Sequence, residues 1–393
     1  MDREIPILYK EKRDCCGCGA CLNICPKQAI SMIEDECGFH YPQIDEKLCV
    51  KCGKCKQVCA FQNSKIENCP VRVFAGVAKD ENIRRTSASG GIFSAIAKKV
   101  LEEGYLVFGA SLQPDFSVKH IGIETIEELV KLQGSKYAQS DIGRTYSEVK
   151  ENLKQGKKVL FSGTPCQIDG LYGFLGKDDD NLMTVDIVCH GIPSNKMFKD
   201  YIKTLGQDVS DFVFRDKSIG WGINGSALVN GKKKHIWQSS SSYLFYFTKG
   251  WIYRENCYLC KYTCKHRPAD ITLGDYWGIE KQHPEYLGKD GWDESKGISV
   301  IITNTLKGEQ MLVHLKSDID LKQSEFDKAA AANYQLRIPS NPGKREDILR
   351  LYSDAGWNSI EKRFRENIGW RYYSSLIKRI LPNSLKRFIK SKR

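Results

Sequence analysis

Eight cysteines near the N-terminus are the residues best placed to do chemistry. Cys15, Cys18, Cys21 and Cys25 are spaced Cys-x2-Cys-x2-Cys-x3-Cys with Pro26 after the last, and Cys49, Cys52, Cys55 and Cys59 repeat the run 34 positions later. Thiolates in this register hold iron–sulfur clusters, and in a doubled run the fourth cysteine of each half ligates the other cluster. The spacing therefore predicts one [4Fe–4S] cluster on Cys15, Cys18, Cys21 and Cys59, and a second on Cys49, Cys52, Cys55 and Cys25. Paired Cys-x2-Cys runs also hold zinc, but eight cysteines in one repeating register favour clusters. Gly17, Gly19 and Gly53 suit a backbone that wraps closely round a cluster. Cys16, Cys37 and Cys69 stand outside the register and read as bystanders.

Four more cysteines lie at the ends of apolar runs: Cys166 in SGTPCQ, Cys189 in VCHG, and Cys257 with Cys260 in RENCYLC. Loops that follow neighbouring strands can meet at one edge of a sheet, so a third [4Fe–4S] site is one reading of them. Ordinary core cysteines are the other, and Cys264 adds a further candidate ligand beside Cys257 and Cys260. The stretch Ser87-Ala-Ser-Gly-Gly91 precedes an amphipathic pattern. Its backbone N–H groups and the helix start would bind an anion such as a pyrophosphate, although two glycines before a helix also serve as a plain cap. No Walker sequence and no Gly-x-Gly-x-x-Gly after a strand occurs, which argues against P-loop and Rossmann binding.

The elements that must position these residues follow from the patterning. A chain of 393 residues, 41% apolar, can build two or three domains. The cysteine repeat fills about residues 10–62, with AISMIEDECGFHYPQID as a β-rich insert between its halves. The polar link NSKIENCP ends in proline and marks a boundary. Beyond it, apolar runs alternate with amphipathic helices, as in an α/β domain. Strands are expected at Val73–Ala78, Tyr105–Ala110, Lys158–Ser162, Met183–Val188, Ala269–Leu273 and Ile298–Thr303, with a helix over Ile92–Glu103. Residues 211–239 read as an antiparallel excursion with turns at Asn224-Gly225 and Asn230-Gly231. The N-terminus lacks the apolar stretch of an export signal, and no apolar run reaches the ~20 residues of a spanning helix. Reduced cysteines in a cytoplasm are therefore expected. Of the formal charge of +12, a net +9 falls in residues 361–393, which leaves the body near neutral and argues against nucleic acid as a partner.

The chain resembles the beta subunits of coenzyme F420 hydrogenase and dehydrogenase, in the bacterial form with a fused N-terminal ferredoxin domain. SASGGIFSAIAKKVLEEG, GSKYAQS, SGTPCQIDGL, VDIVCHGIPS and CYLCKY…ADITLGDYWGI carry the likeness, which covers about residues 10–305. The resemblance implies a flavoprotein. It implies FAD in the α/β domain near Ser89, Gly90, Gly91, Ser135, Lys136 and Tyr137, and a [4Fe–4S] cluster beside it on Cys166, Cys189, Cys257 and Cys260. It also places Asp275 and Trp277 in a motif just after two of those ligands. The second ferredoxin run departs from the pattern by ending Cys59-Ala60 instead of Cys-Pro.

The expected architecture is a two-cluster ferredoxin domain at 1–65, a flavin- and cluster-binding α/β domain at 70–340, and a helical basic tail at 345–393. The expected function is that of an iron–sulfur flavoprotein oxidoreductase. It would relay electrons between a low-potential donor such as ferredoxin, or another redox partner protein, and FAD, with hydride transfer to or from a deazaflavin or an unidentified metabolite. The alternative is a non-enzymatic electron-transfer subunit that serves a partner enzyme. No arrangement of residues asks for a protein nucleophile or an acid–base pair. His190, next to Cys189, is a candidate proton relay or a packed loop residue. In the tail, Leu376, Ile377, Ile380 and Leu381, then Leu385, Phe388 and Ile389 beyond Pro382, oppose basic faces, which predicts peripheral contact with an anionic membrane surface.

Overall fold

The computed structural model describes residues 4–63 and 68–369. The expected amphipathic tail over residues 376–389 lies outside them. In the N-terminal part, β1 (Ile30–Glu34) and β2 (His40–Ile44) form the hairpin expected of the insert. Gly19 and Gly53 precede the short helices Ala20–Ile24 and Lys54–Gln57 at φ +76° and +74°. That left-handed conformation costs a glycine almost nothing and lets the chain turn sharply round each cysteine group.

After the link come β3 (Arg72–Ala78), β4 (Leu106–Leu112), β5 (Val118–Ile123), β6 (Val159–Gly163) and β7 (Leu182–Ile187). A small antiparallel sheet follows, made of β8 (Val209–Val213), β9 (Gly225–Val229) and β10 (Lys232–Ile236). The chain then returns through β11 (Ile271–Asp275), β12 (Ser299–Thr303) and β13 (Ile319–Ser324). The large sheet has the order β13-β3-β12-β11-β7-β6-β4-β5. Its centre is parallel, β4 beside β6, β6 beside β7 and β7 beside β11, and its flanking pairs are antiparallel. Helices cover the parallel strands on both faces, so these strands read as continuous apolar runs; Val159, Leu160 and Phe161 are wholly buried. The strands β3 and β11 both run antiparallel to β12 and hence share a direction. The carboxyl ends of β3, β6, β7 and β11 therefore open on one edge, the general ligand position of such sheets.

A second core lies between the small sheet and the C-terminal helix Arg345–Ile368, where Phe198, Tyr201, Phe212, Tyr243 and Trp357 pack together. That helix bends at Gly356 (φ +68°) and buries Ile348, Leu349, Tyr352, Trp357, Ile360 and Phe364. The chain from Arg345, where the sequence reading starts a basic tail, is thus packed into the body as far as the described residues extend. Among them, no helix is long and apolar enough to cross a membrane.

The packing yields a first prediction. Phe364 is fully buried, and Phe364→Ala should cost about 3–5 kcal/mol of stability. The urea midpoint should fall with little change in the slope; an unchanged midpoint would mean that the helix does not contribute to the core.

Candidate functional site

The twelve predicted ligand cysteines gather at three cavities. Cys25, Cys49, Cys52 and Cys55 line one of them, and Cys15, Cys18, Cys21 and Cys59 line a second together with Cys16 and Cys55. The crossed pairing of Cys25 with the second run and Cys59 with the first is the arrangement the spacing predicts. A third cavity is lined by Cys166, Cys189, Cys257 and Cys260, brought from the end of β6, the end of β7 and the Glu255–Leu259 turn. Cys264 is not on its wall, and its thiol is turned to the carbonyls of Lys261 and His266. Among the described residues no three His, Cys, Asp or Glu groups converge as a single metal ion would require. Sulfurs that ring a cavity fit a multi-iron cluster. Burial pushes the free thiols of Cys59 and Cys189 up, to about 11 and about 12, so these sites hold thiolates only at a cost that bound iron would offset.

The first and third cavities are near neighbours. Cys16 is buried, with its thiol in hydrogen-bonding reach of both Cys18 and Cys166; it is a packed contact between the two sites and not an idle bystander. Gly170, on the helix Pro165–Leu175 that carries Cys166, lies so close that a Cβ there would stand 2.9 Å from the Cys18 sulfur. Lys261, next to Cys260, donates to the carbonyls of Ala60 (2.5 Å) and Phe61 (2.7 Å), just past Cys59. Cys37 is buried against the C-terminal helix, and Cys69 is exposed beside His266.

A larger cavity of about 290 Å³ opens along the carboxyl edge of the sheet, at the lower end of the range for small-molecule sites. It shares Thr164, Cys189, His190, Gly191 and Ile192 with the third cysteine cavity. Of the residues that the resemblance places at a flavin, Ser89, Gly91, Ser135, Lys136 and Tyr137 line it. Gly90 does not. Its N–H bonds Ser299 Oγ, its carbonyl accepts from Ala78, and a Cβ there would lie 2.4 Å from the Gly76 carbonyl oxygen. The glycine is required by the sheet beneath it and not by the cavity. The helix Ile92–Glu102 starts at Gly91 with no side-chain cap, so its first-turn N–H groups are open beside the hydroxyls of Ser87 and Ser94.

Arg215 and His120 on the cavity wall, and Trp221 and Lys217 close behind it, gave no sequence signal. Arg215, just beyond β8, forms a two-pronged ion pair with Asp275 (2.8 and 3.2 Å) and also reaches Tyr137 Oη and the Ala88 carbonyl. Trp221 Nε1 donates to the same carboxylate and its ring stacks on Trp277. Lys217 Nζ is held by the carbonyls of Arg84, Ser89 and Lys296, and burial brings it down to about 8. Together these tie the Ser87–Gly91 loop to β11. Lys136 Nζ donates to Leu132 O and Gln133 O, and burial lowers it to about 7. His120 lies between Ser140 Oγ and the Ser162 carbonyl. A carbonyl only accepts, so Nε2 carries the proton, and burial takes the ring to about 4 and keeps it neutral near pH 7. His190 is also lowered by burial, on the wall common to both cavities. A single sequence holds no cue for Arg215, since its partner lies 60 residues away.

Comparison with known proteins identifies the family. Residues 73–145 match the family "Coenzyme F420 hydrogenase/dehydrogenase, beta subunit N-term", and residues 156–329 match the corresponding C terminus. The chain belongs to this family. Residues 14–63 match a 4Fe-4S dicluster domain, which makes it an iron–sulfur member. An uncharacterized protein of Methanocaldococcus jannaschii is 27% identical over 329 residues, 71% of this chain and 84% of that one. The coenzyme F420-dependent sulfite reductase of the same organism is 29% identical over 372 residues, 89% of this chain but only 54% of the reductase. Among solved structures, a chain of the F420-reducing [NiFe] hydrogenase complex from Methanosarcina barkeri superposes with a TM-score of 0.44 at 18% identity, covering 77% of this chain and 94% of that one.

The position of Gly90 in this family member gives a second prediction. Gly90→Ala drives a methyl group into the Gly76 carbonyl and the Ser299 amide, neither of which is a flexible side chain, and should cost about 1–3 kcal/mol. An unchanged denaturation midpoint would contradict the packing described.

Proposed function

We propose that the chain relays single electrons from a one-electron carrier through the two ferredoxin-type clusters and a third [4Fe–4S] cluster on Cys166, Cys189, Cys257 and Cys260 to FAD in the adjoining cavity. The hydride partner would be a deazaflavin or another small metabolite. The observation that carries this reading is the wall shared by the third cysteine cavity and the large cavity. When bound, the flavin supplies exchange between single electrons and hydride, which clusters cannot perform. The open helix start at Gly91, with Ser87, Ser89 and Ser94, suits its phosphates. A hydride needs a proton for each pair of electrons, and Lys136, brought near neutrality by burial, can hold or release one at Nζ. Arg215 and Asp275 keep the phosphate loop and Tyr137 in place.

Electron entry is proposed over the second ferredoxin-type site. Lys27, Lys47, Lys51 and Lys54 are exposed around it and make no ion pair among the described residues; Leu48 and Val50 are each 52% exposed beside them. Four exposed lysines against two nearby exposed acids, Asp45 and Glu46, with an apolar pair among them suit an acidic one-electron carrier such as ferredoxin.

Anaerobically purified protein should carry about twelve irons and release one FAD per chain. Cys260→Ser should lower the iron to about eight, since neither ferredoxin-type cluster uses that ligand. Full iron content in the variant would refute the third cluster, and wild-type protein without flavin would refute the FAD assignment. The docking proposal is tested separately. Lys51→Glu with Lys54→Glu should slow reduction by an acidic carrier about tenfold at low salt, with iron content and reduction by dithionite unchanged; an unaltered rate would move the entry point elsewhere.

A further inference from the structure

Three arginines are buried among the described residues, at 6%, 0% and 1% exposure for Arg215, Arg254 and Arg267. Arg215 pairs with Asp275 and Arg267 with Asp186. Arg254 has no carboxylate partner among the described residues. Its Nε donates to the Cys15 carbonyl at 2.7 Å, and one terminal nitrogen reaches Gln139 Oε1 at 3.4 Å. The other terminal nitrogen is buried with no protein acceptor at all. The guanidinium carbon lies 4.1 Å from the centroid of the Tyr41 ring. It also rests against Gly17 (φ +68°), where a Cβ would come within 3.1 Å of it. The charged group thus packs on an aromatic ring and on the loop that joins Cys15 to Cys18.

The main chain of the same residue belongs to the other site. Arg254 N donates to Ile192 O on the wall of the third cavity, and Arg254 O accepts from the backbone of Cys257. A guanidinium stays charged at any physiological pH. To bury one without a counter-ion is strongly unfavourable, so the site calls for negative charge. The thiols whose charge it senses are Cys15 and Cys16 at the first site and Cys257 at the third; a cluster held there by four thiolates would carry a formal charge of about −2 oxidised and −3 reduced, and nearby charge is among the factors that set its potential.

We infer that Arg254 is the shared counter-charge of the first ferredoxin-type cluster and the third cluster, and that it raises the reduction potential of both by stabilising the added electron. The inference rests on the three-cluster reading above. It assigns Arg254 a tuning role in the relay, distinct from a mere clamp between the two halves of the chain.

The test is a potentiometric titration of the anaerobic holoprotein followed by EPR, with Cys260→Ser as a background in which only the two ferredoxin-type clusters remain. Arg254→Gln removes the charge and keeps a donor for the Cys15 carbonyl. At a fixed potential its reduced-to-oxidised ratio should fall at least tenfold for the first and third clusters, a shift of about 59 mV for a one-electron couple. The cluster on Cys25, Cys49, Cys52 and Cys55 should move much less. Arg254→Lys should restore most of the shift. Gln139→Glu, which places a carboxylate beside the guanidinium without removing it, should shift both potentials the same way and covers the case in which Arg254→Gln loses iron. A potential of the first cluster that is unchanged in Gln139→Glu, or in an iron-replete Arg254→Gln, would overturn the inference. Wild-type protein with about eight irons would instead sink the third-cluster reading.

Discussion

The register between β6 and β7 is the constraint on which the site depends. Gly163 sits opposite Asp186 in this parallel pair, so the two strands end side by side and their loops leave the sheet together. One loop carries Thr164 and Cys166, the other Cys189 to Ile192. With β11 in register on the far side of β7, Asp275 ends at the same edge. Thr164 and Cys189 to Ile192, carried on two successive strand-end loops, thus form one wall, with a ring of cysteines on one side and the cavity of about 290 Å³ on the other. A one-residue slip of β7 would turn its side chains to the opposite face and disperse the wall.

Charge is handled differently on the two sides of that wall. On the cavity side, Arg215 is neutralised by Asp275, and Lys136 and Lys217 are solvated by carbonyls. The polar loop is thereby fixed and a titratable amine is left near neutrality. On the cysteine side the buried Arg254 has no carboxylate partner among the described residues and an N–H without an acceptor, a cost that the proposed clusters would offset. The ferredoxin-type part and the α/β part are joined by these same groups, Cys16, Arg254 and Lys261, and not by an independent apolar interface alone.

Much of this was legible in the sequence because it was local. The cysteine register gives the crossed arrangement at the first two cavities, and the apolar runs mark β3, β4, β6, β7, β11 and β12 to within one or two residues. The edge strands β5 and β13 escaped because VKHIGI and IDLKQS alternate polar and apolar residues too weakly to stand out from loops. Gly90 was read as a phosphate contact because a glycine pair before a helix looks the same whether it meets a ligand or, as here, a neighbouring strand. Cys16 looked idle because its partner Cys166 is 150 positions away. Arg215, His120 and Arg254 follow from no periodicity, since each matters only through contacts made by the finished fold.

The central claim is that a third cluster and a flavin adjoin across one wall. Crystals of the holoprotein grown without oxygen, measured at the iron absorption edge, test it directly. The account predicts three anomalous iron sites, one of them among Cys166, Cys189, Cys257 and Cys260, with flavin density in the cavity lined by Gly91, Lys136 and Tyr137. Iron confined to the two N-terminal sites, or flavin bound away from that cavity, would contradict it.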